Sequence, residues 1–327
     1  MSDVQLFEGQ TGAEEIWSSK LKFVWLEITG KCNLRCTHCY ADSVPEGAHS
    51  ALSRDEWQSI ITDAQEMGAE TIQFIGGEPT LHPDFSDLVR FVANSGLKIE
   101  VFTNLLHVPS SMWTLFEECQ VSLATSFYSS DSTIHDRVTT RVGSQRRMLA
   151  TIQDALRRSL PLRVGLINVL PEQHVTETEA MLRSIGVSNI TVDTVRGIGR
   201  GVSHNKPTRP VEALCGQCTA ARAAVDPEGW VYPCVFSRWL KIGNTRSERF
   251  RDIIQGDTMR RIQEELAIEF FARNQVSTQE DGCLPAGCLP AGCLPSSCQP
   301  TGQCGPNCQP AVGCLPPPGP PSCAPRR

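Results

Sequence analysis

Residues 22–40 read KFVWLEITGKCNLRCTHCY. The run 22–29 is apolar and β-branched with little interruption, the pattern of a strand covered on both faces. Gly30 ends it, and Cys32, Cys36 and Cys39 follow at x3 and x2 spacing on the loop that leaves the strand. Similar short runs recur at 71–75, 98–103, 121–126, 162–169 and 190–195, rich in Val, Ile, Phe and Thr. Between them lie helical stretches near 53–67, 84–95, 109–118, 144–159 and 175–185. Ser53 and Glu56 form a capping box for the first, and Gly68 and Gly96 stand where helix C-caps belong. Strands alternating with helices predict an α/β fold with a parallel sheet, either doubly wound or a partial barrel.

The chain has 327 residues and a formal charge of −6, from 36 acidic against 30 basic side chains. That balance argues against nucleic acid or an anionic membrane as partner, since both require clustered Lys and Arg. The N-terminus lacks the basic and apolar regions of a secretion signal, and apolar runs are far shorter than the ~18 residues of a membrane span. A cytoplasmic protein is expected. The 15 cysteines are unevenly placed. One group is Cys32, Cys36 and Cys39, a second is Cys215, Cys218 and Cys234, and eight more fall between Cys283 and Cys323. In a reducing compartment such clusters read as metal or iron–sulfur ligands before disulfides. Cys119 stands alone at a helix–strand boundary and reads as a small buried hydrophobe.

Three thiolates from one tight loop suit an iron–sulfur cubane with one iron left open to a reactant. A structural zinc site with His38 as fourth ligand is the competing reading, although His38 adjoins Cys39 and neighbouring residues seldom point at one ion. After the second strand comes Gly76-Gly77-Glu78-Pro79. Thr103-Asn104 closes the third strand, Ser126 the fourth, Asn168 lies near the end of the fifth, and Arg196-Gly-Ile-Gly-Arg-Gly201 follows the sixth. Polar residues at successive strand ends sit where α/β barrels place their chemistry.

Together these motifs resemble the radical S-adenosylmethionine (radical SAM) superfamily over roughly residues 20–200. The resemblance implies a partial (β/α)6, TIM-like barrel, with Cys32, Cys36 and Cys39 holding a [4Fe–4S] cluster. It further implies that Gly76, Gly77, Glu78 and Pro79 lie against the methionine amino group of SAM, with Asn104, Ser126, Arg141 and Asn168 as further cofactor contacts. Arg137 rivals Arg141 for the carboxylate of SAM. The implied activity is reductive cleavage of SAM to a 5'-deoxyadenosyl radical, which abstracts hydrogen from the substrate. A flavodoxin or ferredoxin would supply the electron.

The second cysteine group, with AAVDPEGWVYPCVF turning at Asp226–Gly229, resembles the opening of a SPASM or twitch domain. That implies an auxiliary iron–sulfur cluster on Cys215, Cys218 and Cys234, with a fourth ligand from the tail, substrate or solvent. A zinc knuckle is the alternative. A charged helix is expected at roughly 247–272. The chain is accordingly divided into an N-terminal extension (1–20), the barrel (21–205), an auxiliary domain (206–281) and a low-complexity tail (282–327). Twelve prolines exclude regular structure from that tail, which is expected to be disordered. Its Cys298-x5-Cys304-x3-Cys308 fits only part of the SPASM spacing, and Pro295 stands where a cysteine is needed.

SPASM-type enzymes of this kind mature ribosomally made precursor peptides, so such a peptide is the implied substrate. With only about 20 residues before the barrel, recognition is expected to use the barrel, the auxiliary domain or a separate partner. A radical SAM enzyme acting on a small metabolite and a non-catalytic cysteine-rich metal-binding protein are the alternatives. No general acid or base is evident, and His135 and His174 are expected to be surface or capping residues.

Overall fold

The computed structural model describes residues 21–280, other than 217, 219 and 220. The expected N-terminal extension and the tail 282–327 lie outside the described residues. The chain divides after Phe270; beyond it, only the end of the last helix is described.

Each predicted strand is present, within a residue or two of its expected ends. β1 (Phe23–Glu27), β2 (Thr71–Ile75), β3 (Lys98–Phe102), β4 (Ser122–Phe127), β5 (Leu162–Asn168) and β6 (Asn189–Thr194) pair in sequence order, all parallel. The helices between them are α1 (Arg54–Glu66), α2 (Phe85–Asn94), α3 (Ser110–Glu118), α4 (Ser132–Thr139), α5 (Ser144–Arg157) and α6 (Val175–Ser184). The sheet does not stop at β1. Strand β7 (Arg222–Val225) pairs parallel with it, and β8 (Trp230–Tyr232) and β9 (Gly243–Asn244) follow antiparallel. The order is therefore β6-β5-β4-β3-β2-β1-β7-β8-β9, an open sheet rather than a closed barrel. The second cysteine group is thus carried on the edge of the barrel sheet itself.

Local sequence explains the elements. Ser53 caps α1 through its side chain while Glu56 returns a bond of 2.7 Å to the Ser53 amide. Trp57, Ile60, Ile61 and Ala64 then repeat at helical spacing and are buried against the sheet. Each such large side chain contributes about 2 kcal/mol by leaving water. Helix α4 has no counterpart among the expected helices, and Asp131 caps it by accepting from the Thr133 and Ile134 amides. Gly256 splits the expected charged helix into α7 (Phe250–Gln255) and α8 (Asp257–Glu280). The hairpin turns where expected: Gly229 has φ +84°, and Asp226 Oδ1 accepts from the Glu228 and Trp230 amides at 2.9 Å. Cys119 is the residue after α3 and is partly buried against the main core. No helix among the described residues is long and apolar enough to cross a membrane.

Candidate functional site

The loop after β1 is held from three sides. Bridges pair Thr29 with His49 and Lys31 with Val44, folding the cysteine loop back on itself. The Gly76-Gly77 segment docks beneath it, with the Gly77 amide on Thr29 O (2.6 Å) and the Glu78 amide on Lys31 O (2.8 Å). Gly76 has φ +143°, and a Cβ there would lie 2.5 Å from Thr29 O, so only glycine permits this approach. From the other side the segment after β6 closes down. The Arg200 side chain donates to the carbonyls of Cys36 and Ser43, both at 2.8 Å, and its amide to Cys39 O at 3.0 Å. Arg200, in the Arg196–Gly201 segment noted at the sixth strand end, is thus a positioning residue for the cysteine loop.

Glu78 is 1 % exposed and does not face the cavity beside the loop. Its carboxylate accepts from Thr80 Oγ1 (2.7 Å) and N (3.2 Å), Thr103 Oγ1 (2.7 Å) and Asn104 N (2.8 Å), tying the ends of β2 and β3 together. Burial pushes its carboxyl above the ordinary value despite these donors. Pro79 is also buried away from the cavity. Asn104 does reach the loop: its Nδ2 lies 2.7 Å from Asn33 Oδ1 and 3.8 Å from Cys32 Sγ.

Cys32, Cys36, Cys39, Gly76, Gly77, Asn104 and Ser126 line one cavity of about 380 Å3. Cys215 and Cys234 line the same cavity, and Cys218 is buried in one apolar cluster with Cys234. The contact between them raises the Cys218 thiol and lowers that of Cys234. Arg141 and Asn168 stand outside the cavity wall. Arg141 donates instead to Asn33 O at 2.9 Å, bracing the cysteine loop, and Arg137 pairs with Glu172. His174 precedes α6 at its N-cap position. His135 differs from the surface or capping role expected of it. It is fully buried, stacked on Phe127 with centroids 4.6 Å apart, and neither ring nitrogen has a partner. Its burial comes from α4, whose existence the sequence reading missed.

The donor set fits an iron–sulfur cluster. All three loop cysteines are free thiols, and burial pushes Cys32 up to about 12 and Cys36 higher still, with neighbouring thiols adding to the effect. Thiols that resist ionisation alone are stabilised as thiolates by a metal, which displaces their protons. The Leu34 amide 3.4 Å from Cys32 Sγ is the kind of N–H donor that cluster-bound sulfur accepts. Among the described residues no three His, Cys, Asp or Glu side chains converge on a single ion position. A cubane takes one thiolate per iron, and its ligands need not converge.

These features define an open α/β barrel whose first strand end carries a partly buried three-thiol loop and whose sheet edge carries a second thiol group. The family model of the radical SAM superfamily matches residues 26–185, and that of the SPASM iron–sulfur cluster-binding domain matches 215–288. The chain belongs to the radical SAM superfamily and carries a SPASM domain. It is 26 % identical over 199 residues to a PqqA peptide cyclase of Rhodopseudomonas palustris, spanning 60 % of this chain and 53 % of that protein. To the antilisterial bacteriocin subtilosin biosynthesis protein AlbA of Bacillus subtilis it is 27 % identical over 191 residues, 57 % of this chain and 42 % of that one. The chain thus spans about half the length of these curated relatives. Streptococcus suis SuiB bound to precursor peptide SuiA has the same fold, with a TM-score of 0.62 at 13 % identity over 79 % of this chain and 73 % of that one.

Proposed function

We propose that this chain is a radical SAM enzyme that modifies a ribosomally made precursor peptide. The observation that carries the reading is the opening of both cysteine groups into one cavity of about 380 Å3, within the range of small-ligand sites. Cys32, Cys36 and Cys39 would hold a [4Fe–4S] cluster with one iron open to SAM, bordered by Gly76, Gly77, Asn104 and Ser126. Cys215, Cys218 and Cys234 would hold an auxiliary cluster, and the SPASM match, which runs to residue 288, includes Cys283 and Cys288 as candidates for a fourth ligand. When bound, cluster and SAM supply one-electron chemistry that removes a hydrogen atom from the substrate.

The protein's own part is positional. The Gly76-Gly77 and Arg200 contacts fix the thiol loop, and Asn104 and the Leu34 amide offer hydrogen bonds to Cys32 sulfur. Tyr128, Phe102, Phe236 and Trp25 give the cavity aromatic walls that exclude water. A peptide substrate is supported by the relatives, whose names specify a peptide cyclase and bacteriocin biosynthesis, and by SuiB solved with its precursor peptide. A flavodoxin or ferredoxin as electron donor and a reducing cytoplasmic setting complete the reading. The test is anaerobic incubation of the reconstituted protein with SAM, dithionite and a candidate precursor peptide encoded nearby, followed by mass spectrometry. Release of 5'-deoxyadenosine together with a mass change in the peptide supports the reading. No 5'-deoxyadenosine refutes it, and turnover of a small molecule with none of any neighbouring peptide refutes the peptide substrate.

A further inference from the structure

Three arginines line the cavity, Arg163, Arg196 and Arg222, and the first two are each paired with a carboxylate. Glu27 pairs with Arg238. Glu100 receives both arms of Arg163, at 2.7 and 2.8 Å. Asp193 receives Arg196 at 2.6 and 2.8 Å. Asp226 on the hairpin is filled by two backbone amides and by the Tyr232 hydroxyl at 2.8 Å. Arg222, the first residue of β7, is left over. Its guanidinium lies over the Trp25 ring, 5.9 Å from the centroid, and it takes no carboxylate among the described residues. It is half-buried and lines the cavity together with Cys215 and Cys234.

A guanidinium held on an aromatic face in a partly dry cavity, with its donors unfilled, is a fork preset for a carboxylate. Its position separates it from the proposed SAM site. Arg222 is level with Phe23 at the start of β1, whereas the cysteine loop leaves the far end of that strand, roughly 13 Å away along it. We infer that Arg222 is a specificity-determining residue that binds an acidic side chain of the peptide substrate inside the barrel. This rests on the peptide reading above. The other anion within its reach is the auxiliary cluster with its thiolates, since Arg222 acts electrostatically on both Cys218 and Cys234.

The test uses the full chain, reconstituted and loaded with SAM, and two probes: acetyl-Ala-Glu-Ala-amide and acetyl-Ala-Gln-Ala-amide. Binding is titrated by saturation-transfer NMR for wild type, Arg222→Gln and Arg222→Lys, with thermal melting as the folding control. Wild type is expected to prefer the Glu peptide by about tenfold, the scale of one charge-assisted hydrogen bond. Arg222→Gln should abolish the preference and Arg222→Lys retain part of it. If Arg222→Gln does not fold, a preference in wild type that Arg222→Lys leaves at full strength overturns the inference. So does the absence of any preference in wild type, or one that survives Arg222→Gln. A shift in the auxiliary-cluster potential of Arg222→Gln without a peptide preference assigns the residue to the cluster instead. The underlying reading fails separately, by the absence of SAM cleavage in wild type.

Discussion

Replacing Gly76 with alanine probes the contact on which the thiol loop rests. Two costs are separable. At φ +143° an L-residue is strained, at about 1–2 kcal/mol. In addition the new Cβ would sit 2.5 Å from Thr29 O and 3.1 Å from Thr29 N, both backbone atoms that cannot rotate aside. Relieving that clash moves the strand ends apart and weakens the Gly77–Thr29 bond of 2.6 Å, for a further ~1–3 kcal/mol. About 3 kcal/mol in all lowers Tm by about 6–12 °C in a domain of this size. Gly96 supplies the control, because it also has positive φ (+73°) but a Cβ there meets nothing within 4 Å. Gly96→Ala should therefore cost only about 1 kcal/mol, from backbone strain. The assay is thermal melting by circular dichroism, with iron content after anaerobic reconstitution as a second readout. Equal melting temperatures for Gly76→Ala and Gly96→Ala, with full iron in both, would refute the reasoning.

Further outcomes follow from other contacts. Arg200→Ala removes two donors from the Cys36 and Ser43 carbonyls, so iron should be lost faster during desalting and stability should fall by about 2 kcal/mol; unchanged iron retention contradicts this. Asp63, 1 % exposed, accepts from Arg249 at 2.5 Å and from Arg251 at 3.0 and 3.1 Å. Asp63→Ala should cost about 2–3 kcal/mol in urea unfolding, and an unmoved midpoint would show the pairs to be inert. Burial depresses His135 from 6.5 to about 4, so the neutral ring stabilises the fold. That contribution is complete above pH 6.5 and is lost as pH falls through about 4, amounting to about 2 kcal/mol between pH 7 and 5. His135→Phe should lose that much less than wild type over the same interval, and parallel pH profiles would contradict it.

The strands and most helices were legible because their signals are local: β-branched runs, the Ser53–Glu56 capping box, and the Asp226–Gly229 turn. Helix α4 was not, since STIHDRVT spans only eight residues and mixes β-branched with polar ones; Asp131 as N-cap was the available signal. The split at Gly256 was likewise marked only by its glycine. For the site, the cysteines and the Gly76-Gly77 approach could be read from spacing and order. Glu78 could not be placed, because whether a carboxylate faces a cavity or ties β2 to β3 depends on Thr103 and Asn104, far along the chain. The pairs Glu27–Arg238 and Glu100–Arg163 join residues 211 and 63 positions apart. No local pattern records them, and that Arg222 takes no carboxylate among the described residues emerges only from the fold.

The proposed function requires an iron–sulfur cluster on each of the two cysteine groups. The most direct measurement is iron and sulfide per chain after anaerobic reconstitution, for wild type and for Cys32/Cys36/Cys39→Ala. About eight irons are expected in wild type and about four in the triple variant, one cubane per cysteine group. Zinc with little iron, or iron unchanged by the triple substitution, would contradict it.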